Sequence, residues 1–144
     1  MTRTDQLPET RSAVQARPWI GGLWGSAGAL VLNSAIFFVA NAVLAGSIQT
    51  AQSGQAPIDL PYAAVLGASV IPVFVGAAVL WGLIRFTRLG LRAWSGLAVA
   101  VTLLSLIAPL TAPVDTGSKV ALSLMHLATG AAAILGQRQA VATV

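Results

Sequence analysis

Four long apolar runs, at residues 22–45, 62–84, 94–110 and 120–136, limit what this chain can fold into. Each is close to the roughly 17–25 residues a helix needs to cross a hydrocarbon layer about 30 Å thick. No charged residue stands between Arg17 and Asp59. The fold class this implies is all-α: a transmembrane up-down four-helix bundle. Short connections after the second and third runs make neighbouring helices antiparallel.

Composition agrees. Only 8% of the 144 residues are charged and 56% are hydrophobic. A soluble domain carries about 25% charged residues to cover its wet surface. Residues 1–18, with Pro8 and Pro18, read as a disordered cytoplasmic tail, because such a segment buries too little apolar surface to order itself. Pro18 suits the first turn of the first helix. Residues 19–137 form the membrane domain and 138–144 a short second tail. The first run is expected to be retained as a span. A cleaved signal has a core of about 7–15 apolar residues behind a short basic segment, whereas this run is longer and Asp5 and Glu9 precede it.

The high pI, near 11.3, is not a nucleic-acid signal. It comes from eight basic and four acidic residues at helix ends, where they set topology and attract anionic headgroups. With both termini cytoplasmic, the inner side holds Arg3, Arg11, Arg17, Arg85, Arg88, Arg92 and Arg138, and the outer side Lys119. Seven against one satisfies the positive-inside rule. Trp19, Trp24, Trp81 and Trp94 fall near the inner boundary and Tyr62 near the outer, where amphipathic rings prefer to sit. The expected location is the plasma membrane of the cell, multi-pass.

His126 is the one ionisable residue well inside a run. Intramembrane ionisable groups are costly, which makes a role in function the first hypothesis; a neutral imidazole bonding a neighbouring helix is the plainer one. On a helical wheel Lys119, Ser123, His126, Thr129, Gly130, Ala133 and Gln137 share one face, opposite Leu124, Leu127, Ala131 and Leu135. Counting about 1.5 Å per residue from the outer ends, Asn41, Ser69, Ser105 and His126 lie roughly 6–11 Å deep. One helix each supplies them, so they form a candidate polar layer, and His126 is expected to bond Asn41, Ser69 or Ser105. Asn33, Ser123 and Thr129 are secondary candidates; Asn33, near mid-span, needs a partner there. Gly21 and Gly25 in the first helix, and Gly67, Gly76 and Gly82 with Ala63 and Ala78 in the second, offer small surfaces for close helix packing. Pro72 is expected to bend the second helix.

Several chemistries lack their residues. No Asp or Glu lies inside a run, so the carboxylate of proton-coupled small multidrug transporters is missing. There is no cysteine and a single histidine, a poor set for a metal or a haem. Asp5, Asp59 and Asp115 lie outside the runs, so no Ser-His-Asp set can form. No enzymatic activity and no cofactor are expected.

The segments Gly67-Ala68-Ser69, Arg92-Ala93-Trp94, Leu104-Ser105-Leu106-Ile107-Ala108-Pro109-Leu110 and Val120-Ala121-Leu122-Ser123-Leu124-Met125-His126-Leu127 carry a resemblance. In order and spacing, residues 62–136 resemble a family of small bacterial four-span membrane proteins with a domain of unknown function. Arg85 stands where such proteins often carry an acidic residue. The resemblance implies four spans and brings no activity. The reading reached is a non-enzymatic membrane component or partner subunit. The alternative is a small transporter, channel or sensor built on the layer around His126. Its partners would be the lipid bilayer and a membrane protein or further copies of itself.

Overall fold

The computed structural model describes residues 7–44, 46–51, 54–87 and 90–142. Arg3, Asp5 and Arg88 lie outside the described residues. The elements are α1 (Leu7–Val43), β1 (Gln49–Thr50), β2 (Ile58–Asp59), α2 (Tyr62–Phe86), α3 (Gly90–Ser105), α4 (Ile107–Thr111) and α5 (Thr116–Ala142). Four stretches are long and apolar enough to cross a membrane: Arg17–Val43, Tyr62–Phe86, Gly90–Thr111 and Thr116–Ala140. They pack as a ring in chain order, and α5 closes on α1 in the most extensive pairing of the bundle.

The first helix begins well before the apolar run. From Leu7 the segment read as a disordered tail is helical, and Pro18 lies inside α1 rather than in its first turn. Glu, Arg, Ala and Gln between 9 and 17 are strong helix formers, and Pro8 falls in the first turn, where no backbone partner is forfeited.

Contact between α1 and α5 is close because glycines meet there. A Cβ on Gly136 would lie 2.6 Å from the Gly21 carbonyl and 2.6 Å from the Gly25 nitrogen. One on Gly25 would lie 3.0 Å from the Ala132 carbonyl. The Gln137 side chain, fully buried, donates to the Pro18 carbonyl at 2.9 Å. The second helix differs from expectation. Gly76 packs against Trp94, but a Cβ on Gly67 would touch only Ile71 of the same helix, at 3.9 Å, and Gly82 has open space around it, while Ala63 and Ala78 are exposed. Helical spacing marks which residues share a face but not which face a neighbour covers.

The segment between α1 and α2 is a folded cap rather than a plain polar loop. Gln49 pairs with Asp59 and Thr50 with Ile58 in a short antiparallel hairpin, and Gly54 takes the positive φ of its turn. Ile48, fully buried, packs with Ala121, Leu122 and Met125. The backbone N–H of Ile48 donates to Asn41 Oδ1 at 3.1 Å, and that of Gln49 to Ser118 Oγ at 2.9 Å. Ser118 in turn donates through its backbone N–H and its hydroxyl to Asp115, which caps the start of α5.

The third span breaks at Leu106. Pro109 has no N–H to return to the Ser105 carbonyl, and the Leu106 N–H bonds instead to Leu103, three residues back. The helix resumes as α4 to Thr111.

Candidate functional site

A cavity of about 560 Å³ lies between α2, α3 and α5, under the hairpin. Its α2 wall runs from Ala64 to Val79, its α3 wall from Trp94 to Ser105 and its α5 wall from Leu122 to Ala133. Thr50 and Leu60 of the hairpin segment line it too, so the cavity extends to the hairpin end of the bundle. At its other limit Trp94, 2% exposed, donates from Nε1 to the Gly76 carbonyl at 2.7 Å and ties α3 to α2. This indole was expected at a headgroup boundary; the helix crossing buries it instead. Trp19, Trp24 and Trp81 stay exposed.

The cavity is bounded by side chains that also face outward. Val75 and Val79 on α2, and Leu97 and Val101 on α3, line it and are exposed on the flank of the bundle. In a bilayer that flank is lipid. The opening is therefore a lateral seam between α2 and α3.

The polar residues divide into separate groups. Asn33 is the hub of one. It is 2% exposed, and its Nδ2 donates to Ser69 Oγ at 2.9 Å and to Thr129 Oγ1 at 2.8 Å, joining α1, α2 and α5. Ser69 and Thr129 donate back to the carbonyls of Val65 and Met125 in their own helices. Asn33 Oδ1 is buried without a partner.

His126 and Ser105 belong to the cavity wall. The imidazole Nδ1 lies 2.7 Å from the Leu122 carbonyl. A carbonyl only accepts, so Nδ1 carries the hydrogen, and in the uncharged tautomer with that hydrogen Nε2 is an acceptor. Ser105 Oγ donates to the Thr102 carbonyl at 2.7 Å. Asn41 is elsewhere, donating to Phe37 and holding the hairpin through Ile48. Ser123 Oγ is buried without a partner.

The expected layer of Asn41, Ser69, Ser105 and His126 is thus not one site. Ser105 and His126 share the cavity; Ser69 serves the Asn33 junction and Asn41 the hairpin. His126 bonds its own helix rather than Asn41, Ser69 or Ser105 among the described residues. Equal depth along four helices does not fix the rotation of each about its axis. Asn33 carries the stronger signal: an amide at mid-span has no water to bond and must find neighbours.

Four apolar spans packed into one bundle define a multi-pass integral membrane protein. Residues 13–143 match the model of a family described as "Family of unknown function (DUF6069)". The chain belongs to that family, and the match includes the first helix, which the resemblance over 62–136 did not cover. No curated protein matches the chain, and no solved structure does.

Proposed function

We propose that this protein is a non-enzymatic membrane protein of the carrier or sensor kind, which takes an uncharged apolar molecule from the lipid phase and holds it in the α2–α3–α5 cavity. The observation that carries the reading is the cavity itself, about 560 Å³ with a seam flanked by exposed aliphatic side chains. That volume falls within the range of about 300–1,000 Å³ typical of small-molecule sites. Of the residues lining it, His126 alone is ionisable, so its walls suit an uncharged guest. A bundle serving only as a packing subunit has no use for such a space, and dense packing would close it. The protein sits in the plasma membrane with both termini cytoplasmic, and the hairpin caps the outer end.

Native mass spectrometry of the detergent-purified protein, with bound lipids retained, tests the reading. The wild type should keep an apolar adduct that the cavity-filling variant Ala98→Phe loses while its helical circular dichroism is unchanged. Identical adducts in both proteins, or none in the wild type, would overturn it.

A further inference from the structure

From the hydrogen-bonding state of its wall, we infer that the cavity is built for a neutral molecule with an apolar body and one hydroxyl group, donated to His126 Nε2. This inference rests on the reading of the cavity as a small-molecule site and names the chemistry of its guest.

The wall's donors are almost all committed. Trp94 Nε1–H is given to Gly76, Thr102 Oγ1–H to the Ala98 carbonyl at 2.8 Å, and Ser105 Oγ–H to Thr102. Asn33 spends both protons of Nδ2 on Ser69 and Thr129, and Thr129 gives its own to Met125. His126 gives its Nδ1–H to Leu122. Thr50, in the hairpin roof, is the exception among the lining hydroxyls.

Acceptors remain. His126 Nε2 has no hydrogen bond among the described residues. Asn33 Oδ1 also lacks a partner, but that atom is itself buried and is not presented to a guest. Pro72 brings no N–H to the Ala68 carbonyl four residues back, and both residues line the cavity. A site rich in acceptors and short of donors selects a guest that donates. It discriminates against an isostere that only accepts, since the wall's lone pairs would then meet the guest's. The lining includes no Asp, Glu, Lys or Arg, so an ammonium head finds no carboxylate and a carboxylate head no lysine or arginine to pair with.

The test compares 1-dodecanol, methyl dodecyl ether and laurate as probes of the full chain in detergent at pH 8. Occupancy is titrated by native mass spectrometry and corrected for partition into micelles. The wild type should bind the alcohol about tenfold more tightly than the ether, the share of one hydrogen bond in a dry site. His126→Phe should bring that ratio close to one while still binding the ether. His126→Gln, which keeps an amide oxygen as acceptor, should retain part of the preference. Equal binding of alcohol and ether by the wild type would overturn the inference and leave the apolar site standing. Laurate binding more tightly than the alcohol would overturn it in favour of a cationic His126. Binding of none of the probes would remove the proposed function itself.

Discussion

Trp94 Nε1 donates to the Gly76 carbonyl at 2.7 Å, and the indole lies against the face of α2 that this glycine leaves bare. That pair fixes where α2 and α3 meet. From there towards the hairpin the two helices are parted by the cavity. Replacing Trp94 by Phe keeps the aromatic volume and removes the donor. The expected loss is about 1 kcal/mol, the size of a hydrogen bond within a membrane bundle, read as a lower midpoint in detergent denaturation. An unchanged midpoint would show that the bond does not hold the seam.

Small residues in the two halves of the bundle should respond differently. A side chain on Gly136 would collide with the backbone of Gly21 and Gly25, whereas one on Gly82 meets open space. Gly136→Leu should separate α1 from α5 and lower the melting temperature by several degrees, the effect of a few kcal/mol of overpacking. Gly82→Ala should leave it unchanged or raise it slightly. Gly67→Leu should also be tolerated. Equal losses at Gly136 and Gly82 would contradict the packing described.

Asn33 joins three helices through Ser69 and Thr129. Asn33→Leu should destabilise the bundle by about 1–2 kcal/mol, measured by reversible unfolding in mixed micelles. Ser69→Ala with Thr129→Val in the same chain should add little to it, because all three changes break one junction. Additive losses would mean that the contacts act independently.

Asp115 gives the hairpin end a dependence on acid. The Ser118 hydroxyl, followed by the Ser118 backbone N–H, stabilises its charged form and holds its carboxyl below the ordinary 3.8. A lowered carboxylate contributes stability above its unfolded value and loses it as pH falls through the folded one. The protection factors for amide exchange at Ser118 and Gln49 should therefore hold at neutral pH and fall only below about pH 4. In Asp115→Asn that acid limb should vanish. An acid limb of the same size in the variant would assign it to another group.

Single cysteines at Gln55, in the exposed hairpin, and at Arg138, exposed near the end of α5, report orientation. An impermeant thiol reagent applied to intact cells should label position 55 and spare 138 until the cells are opened. Labelling of 138 alone would invert the topology.

How much of this was legible beforehand follows from the physics of each residue. The spans were plain, since length and lack of charge suffice to place a helix in hydrocarbon. The outward face of α5 was legible too: Leu124, Leu127 and Leu135 are exposed and Gln137 is buried, as their wheel positions implied. Sequence could not show the burial of Trp94, the lack of a neighbouring helix against Gly67 or the separation of Asn41 from His126. Those depend on how each helix is rotated and on which neighbour covers it. The hairpin hid because its strands are two residues each and its anchor, Ile48, is one apolar residue in a polar stretch. The cavity hid for a similar reason, being a property of three helices at once.

The pairing of α1 with α5 also orders the assembly of the protein in time. Pro18 and Gln137, joined by a hydrogen bond, are 119 residues apart in the chain. The first of the four spans thus finds its largest partner only when the fourth arrives. Until then its glycine face towards α5 looks into lipid or into whatever insertion machinery shelters it, and Asn33 has Ser69 but not Thr129 to bond. Truncation before α5 should leave a chain that inserts yet remains open to quality-control proteolysis, because the ring is closed by the fourth span.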